Sequence, residues 1–342
     1  MGLKITTLNF IDFCSGTGAA RIALESLGMR CVAHSEIDPV VEKTYRLLHN
    51  DENNLGDLTS LDFNSIPDCD LLIAGFPCQS FSIAGKRQGL VDIRGQIIYS
   101  LSKILKYKNI SYFILENVKG LINHNKGNTL NTILHLLDQS GYTVFFKVLN
   151  SFDFNVSQFR ERIYFVGIKK DRCNFQFQFP QSIKQTTTIN DFLLDTNLDI
   201  CDPLSPSFQR YLHNKYNKGK FNIDQLLTKD YLVIDTRQSD LRIYHNKFPT
   251  LRTNRHGLLY VKDKKFHRLS GKEAFLLQGF SKYHIEKLSS VTNTTLLSQA
   301  GNAMTINVIQ AIGKQLLSYI NGELSDECSF NTERFFDSKI WI

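Results

Sequence analysis

The chain is poor in several things. Its 342 residues include seven prolines, three methionines and one tryptophan. No run approaches the ~18 apolar residues that a membrane span needs. The first residues, MGLKITTLNFIDFC, lack the basic start, long apolar core and small-residue cleavage site of a secretion signal. Seven cysteines are present, but the closest pair, Cys69 and Cys78, lies nine residues apart, so no zinc knuckle or disulfide framework can be read. These features describe a reduced, cytoplasmic protein whose thiols are mostly small core residues, with no membrane and no metal expected. A composition of 42% hydrophobic and 21% charged residues excludes a disordered or collagen-like chain. The length suggests about two domains.

Charge is concentrated in one segment. Residues 203–267 hold 13 Lys and Arg against five Asp, a net +8, so the other 277 residues sum to −1 against a whole-chain charge of +7. Such a cluster is a solvated basic face or a polyanion contact, because clustered cations gain affinity by displacing phosphate counterions. Tyr211, Tyr216, Phe221, Tyr244, His245, Phe248, Asn254 and His256 are interleaved with it.

The first half alternates short apolar runs with helical patterns. Residues 8–13, 31–34, 70–74, 112–115, 144–149 and 163–168 read as strands. Residues 19–27, 96–106 and 128–139 read as helices. This alternation predicts a doubly wound, mostly parallel α/β sheet. The last two strands have little between them for a crossover helix, which predicts an antiparallel pair at one edge. Residues 210–267 read as a loop-rich, partly β domain, and residues 270–278 and 294–320 return to helical patterns.

The chemistry is carried by strand ends. Phe13-Cys14-Ser15-Gly16-Thr17-Gly18 is a glycine turn between a strand and a helix, the kind that leaves backbone amides facing a polar ligand. Glu36, Asp38 and Asp57 follow at later strand ends, either as acceptors for a nucleotide-type ligand or as loop and cap acids; Asp38, which precedes Pro39, suits a helix cap. Gly75-Phe76-Pro77-Cys78-Gln79-Ser80 places a thiol directly after a strand, where it needs positive charge or amide donors to act as thiolate. The loop after it, residues 85–95, is glycine-punctuated and carries Lys86, Arg87 and Arg94, as a lid over an anionic substrate would. Glu116-Asn117-Val118 ends one strand, and Gln158-Phe159-Arg160-Glu161-Arg162 opens another.

Taken in order, these motifs resemble the DNA (cytosine-5)-methyltransferases of bacterial restriction–modification systems. The match continues through Arg268-Leu269-Ser270, Glu273, Gln278-Gly279-Phe280 and Gln299-Ala300-Gly301-Asn302-Ala303, and spans residues 5–320 except for the basic insert. The resemblance implies a Rossmann-like methyltransferase domain at residues 1–178, a target-recognition domain at 179–267 and a hinge region at 268–300. Residues 301–330 would return to the catalytic domain, with Gly301-Asn302 packing beside the Cys78 loop. It implies S-adenosyl-L-methionine, released as S-adenosyl-L-homocysteine, held by Phe13, Gly16, Gly18, Glu36, Ile37, Asp57, Pro77 and Asn302. Ala19-Ala20 replaces a further glycine common in the family, and Ile37 an aromatic residue.

By the same resemblance, cytosine would be flipped out of the duplex. Cys78 would add to C6, Glu116 would hold or protonate N3, Arg162 would bind O2, and Arg160 would favour the thiolate. Lys86, Arg87, Arg94, Arg237, Arg242, Thr250, Arg252, Asn254 and Arg255 are the expected contacts to double-stranded DNA, since Arg suits guanine and Asn adenine. A monomer associated with the nucleoid through DNA is expected, paired functionally with a restriction endonuclease. The alternative is a tRNA cytosine-5-methyltransferase, whose Cys-Phe-Thr segment has no counterpart here, Cys201 being followed by Asp202-Pro203.

Overall fold

The computed structural model describes residues 7–76 and 96–323. Five strands enter first: β1 (Asn9–Phe13), β2 (Arg30–Ser35), β3 (Leu71–Gly75), β4 (Tyr112–Val118) and β5 (Tyr142–Asn150). The short β6 (Gln158–Phe159) and then β7 (Glu161–Lys169) follow. All but β6 form one sheet in the order β2-β1-β3-β4-β7-β5. The first four run parallel, whereas β7 is antiparallel to both β4 and β5. The short connection from residue 150 to residue 161 thus produces the expected antiparallel pair, with β5 at the edge and β7 inside it.

The central strands are apolar almost throughout because both sheet faces are covered. Phe10, Leu71, Ile73 and Ile114 belong to one hydrophobic core. Their neighbours Ile11, Phe13, Leu72, Ala74, Phe113 and Leu115 belong to the other, as the two-residue strand period requires. Around the sheet lie α1 (Ala19–Glu25), α2 (Pro39–His49), α3 (Gln96–Tyr107) and α4 (Asn128–Gln139). α3 buries Ile98, Leu101 and Leu105 at helical spacing. Asp38 caps α2, accepting from the Val40 and Val41 amides at 2.8 and 3.3 Å.

Residues 200–268 build a second sheet, more ordered than the loop-rich reading of the sequence. It comprises β8 (Ile200–Cys201), β9 (Leu232–Asp235), β10 (Arg242–His245), β12 (Leu258–Lys262) and β13 (Lys265–Arg268), and α5 (Pro206–Leu212) and α6 (Ile223–Leu227) accompany it. The order is β10-β9-β12-β13-β8, antiparallel throughout. One face packs Ile234, Leu259, Val261 and Phe266 with Phe208 and Leu212 in a core of its own. The other sends Val233, Leu258 and Tyr260 into the main core, so the two sheets share hydrophobic packing. The remaining strand, β11 (Phe248–Pro249), leaves this sheet and pairs in parallel with β6.

The C-terminal helices α7 (Gly271–Leu276), α8 (Lys282–Glu286), α9 (Asn293–Asn302) and α10 (Ile306–Ile320) close the structure. The helical pattern of residues 294–320 is interrupted: Ala303 turns to extended backbone and ends α9. α10 then runs back against the first helix, where a Cβ on Gly313 would meet Leu24 and Leu27 at 3.0 and 2.8 Å.

Candidate active site

In an open, mostly parallel sheet, ligands bind beyond the carboxyl ends of the strands where the strand order reverses. Here that point lies between β1 and β3. Below it, the turn after β1 is left-handed at Cys14, Gly16 and Gly18 (φ 50°, 57° and 75°). Space above Gly16 is open, whereas a Cβ on Gly18 would stand 2.1 Å from His49 Nε2. Glu36 fixes the crevice walls: its Oε2 accepts from the Gly16 amide and its Oε1 from the Ile37 and Asp38 amides, all at 2.9 Å. Asp57 stands exposed on the next loop, accepting from the Thr59 amide and hydroxyl. Ile37 is 70% exposed at the lip, an apolar surface left open among the described residues. Phe13 is fully buried among Ile11, Ala33 and Ala74, so it forms a wall of the core rather than an exposed stacking surface. An open glycine turn, two acidic side chains and an exposed aliphatic lip fit an adenosine-containing cation such as S-adenosyl-L-methionine. Pro77 lies outside the described residues.

Beneath the turn is a buried polar cluster. Burial holds the Asp12 carboxyl well above the usual range, and neither of its oxygens has a hydrogen-bond partner among the described residues. His49 contacts the Thr17 carbonyl through Nε2 at 3.2 Å, and burial pulls its pKa down to about 3.

The reacting end of the site is set by strand register. β3 and β4 place Gly75 beside Glu116, and β4 and β7 place Val118 opposite Arg162. Arg162 Nε lies 3.0 Å from Glu116 Oε1, an ion-pair contact not aligned as a hydrogen bond, so this buried oxygen keeps its accepting capacity. Arg162 Nη1 is steadied by the Glu161 carbonyl at 2.9 Å. Asn117 Nδ2 donates to the Phe76 carbonyl at 2.9 Å, fixing the strand exit that leads to Cys78. Cys78 itself, with Lys86, Arg87 and Arg94, lies outside the described residues.

A cleft of about 630 Å³ opens between the edge of the main sheet, the segment joining β11 to β12 and the end of α9, lined in part by Val118, Arg162, Arg252, Arg255, Gly301 and Asn302. Arg252, Asn254 and Arg255 are exposed in the segment between β11 and β12. Arg242 is exposed and pairs with Asp240 at 3.1 Å. Thr250 spends its hydroxyl on the Phe159 carbonyl at 2.8 Å.

Two of the expected residues are turned away from the cleft. Arg237 is turned inward: its guanidinium grips both oxygens of Asp235 at 2.7 Å and the Thr250 carbonyl at 2.9 Å, leaving little to offer a base. Arg160 is also fully buried and does not line the cleft. Its donors reach the carbonyls of Leu251, Gly301 and Ala303 at 3.3, 3.1 and 2.9 Å. Burial, with the charge of Arg162 adding to it, pulls its pKa down to about 9. Asn117 and Gln158, quoted in the motifs without a role of their own, are buried beside the site.

Residues 8–318 match the family described as C-5 cytosine-specific DNA methylase. The chain is 36% identical over 320 residues to the type II methyltransferase M.DsaV of Dactylococcopsis salina, covering 92% of this chain and 87% of that one. It is likewise 36% identical over 318 residues to M.NlaX of Neisseria lactamica, covering 90% and 95% of the two chains. The fold is similar to that of the S. pombe Dnmt2 methyltransferase crystal structure, with a TM-score of 0.65, 19% identity and coverage of 93% of this chain and 100% of that one. The chain belongs to the C-5 cytosine-specific DNA methylase family, and the enzyme is a DNA (cytosine-5)-methyltransferase.

Proposed function

We propose that this enzyme methylates one cytosine within a short recurring sequence of double-stranded DNA, after flipping that base into the cleft lined by Arg162, Arg252 and Arg255. The observation that carries the reading is the cleft itself. Its lining joins Arg162, which is paired with Glu116, to the exposed Arg252 and Arg255. Flipping is required because the ring faces of a stacked base cannot be reached, and unstacking costs a few kcal/mol.

In the proposed cycle the Cys78 thiolate forms a bond to C6, and the displaced ring electrons collect at C5. Glu116 holds the proton at N3 that lets the ring accept those electrons, and Arg162 binds O2, offsetting the charge that develops there. When bound in the crevice of Gly16, Glu36 and Asp57, S-adenosyl-L-methionine supplies an electrophilic methyl carbon to C5 and departs as S-adenosyl-L-homocysteine. Water then takes the C5 proton, the Cys78–C6 bond breaks, and the ring regains its aromaticity. The type II names of the relatives support a role in protecting host DNA from a cognate endonuclease.

The reading divides the chain as the motifs do. Residues 179–267 recognise DNA and the rest binds the methyl donor and performs the chemistry. The test is strand-resolved bisulfite sequencing of plasmid recovered from cells expressing the chain, against a Cys78→Ala control. Protection at one recurring sequence that vanishes in the control is the expected result. Unprotected plasmid from soluble, folded protein would overturn the proposal and direct attention to RNA.

A further inference from the structure

Arg160 stands where three chain segments meet. It follows β6, which is zipped to β11: Phe248 pairs with Gln158 and Pro249 with Phe159. The ribbon is extended by the Phe248 amide donating to the Ser157 carbonyl at 2.7 Å and the Leu251 amide donating to Gln158 Oε1 at 3.1 Å. Beyond it, Arg160 takes the Leu251 carbonyl from the small domain and the Gly301 and Ala303 carbonyls from the end of α9. A helix C-terminus leaves carbonyls without partners and carries partial negative charge, so a cation is suited to that place. The same helix end presses on the recognition side, since a Cβ on Gly301 would stand 2.3 Å from the Thr253 nitrogen. Thr253 and Ser298 share a hydroxyl hydrogen bond of 2.7 Å across the same seam.

The guanidinium suits this junction because its planar fork reaches several acceptors at once, which a single ammonium cannot. Two residues further along, Arg162 approaches Glu116. One short segment therefore holds the recognition side through Arg160 and the reacting side through Arg162.

We infer that Arg160 is a positioning residue that sets sequence fidelity, fixing residues 251–255 over the Glu116–Arg162 pair so that only a correctly read duplex delivers its cytosine in register. This inference rests on the proposed reading of residues 252–255 as DNA contacts. Displacements of about 1 Å remote from the chemistry can cost about a hundredfold in rate. A tightly registered seam therefore converts a misread base into a slow reaction.

The test compares wild type, Arg160→Lys and Ser298→Ala in single-turnover methylation of the mapped sequence and of duplexes changed at one base pair. Rates are taken per folded molecule, with cofactor affinity measured alongside. In Arg160→Lys the ratio of cognate to altered-site rates should fall about tenfold or more while cofactor affinity holds. Ser298→Ala, which lies outside the lining of the cleft, should lower the ratio by a smaller factor and serves alone if Arg160→Lys does not fold. An unchanged ratio, with all rates reduced in common, overturns the inference by making Arg160 a catalytic or merely structural group. A wild type that methylates no recurring sequence overturns the underlying reading, and this inference with it.

Discussion

Gly301→Ala puts the seam between the domains under a defined load. The added methyl would lie 2.3 Å from the Thr253 nitrogen, 2.5 Å from the Arg252 carbonyl carbon and 3.0 Å from the Arg252 oxygen. Ordinary contact begins near 3.4 Å. The obstructing atoms are backbone, so no side-chain rotation relieves the clash, and residues 252–253 must retreat by about 1 Å. Overpacking of this kind costs about 1–3 kcal/mol, equivalent to a fall in melting temperature of roughly 1–4 °C for a chain of this length. A 1 Å shift of groups that orient the substrate costs about a hundredfold in turnover. Glycine's backbone freedom is not involved, because its φ here is not left-handed. The assay is methyl transfer from labelled cofactor to plasmid DNA, with thermal melting of the same preparation. Wild-type turnover and melting in Gly301→Ala would refute the tight seam. A lowered melting temperature with full turnover per folded molecule would refute its connection to catalysis.

Further outcomes follow from the site. Glu116→Gln keeps the shape but not the acid, so turnover should fall by about 10²–10⁴ with cofactor affinity intact; equal loss of both would mean the side chain serves folding. Arg252→Ala with Arg255→Ala should flatten the dependence of log DNA affinity on log salt by up to about two, near one per lost phosphate contact; an unaltered slope would place the contacts elsewhere. His49 supplies a pH signature. Its folded pKa of about 3 lies below the usual 6.5, so between those values the unfolded chain binds a proton that the folded one refuses. Its contribution to stability should therefore decline as pH falls from about 6.5 towards 3, by up to about 1.4 kcal/mol per unit. Asp12, whose carboxyl burial holds well above its usual range, acts in the opposite sense, and comparison with His49→Gln cancels it; parallel stability profiles for the two proteins would dismiss the effect.

Much of this architecture was legible in the sequence because strand ends and chemistry coincide. Apolar runs such as residues 70–74 and 112–115 mark strands buried on both faces, and the polar residues just beyond them, Glu116 among them, fall at the carboxyl edge. The short interval between β5 and β7 sufficed to foresee their antiparallel pairing. The second sheet was harder to see. Its strands are two to five residues long, and their inward residues serve two different cores, which blurs the alternation. The Gln158-to-Arg162 segment was legible as a motif but not in its physical role. An Arg-Glu-Arg triplet reads as solvated surface until the chain closes over it, and only then does Arg160 become a buried tie while Arg162 faces the cleft. The break between α9 and α10 is likewise tertiary, its carbonyls being taken by that same arginine.

The most direct test of the central claim is to trap the protein on its DNA. A duplex whose target cytosine carries fluorine at C5 can accept the methyl group but has no C5 proton to lose, so the thiol cannot leave. After incubation with S-adenosyl-L-methionine, denaturation and digestion, mass spectrometry should find the methylated nucleotide attached to the peptide containing Cys78. Attachment at any other residue, or no adduct from protein that methylates the unmodified duplex, would contradict the proposed mechanism.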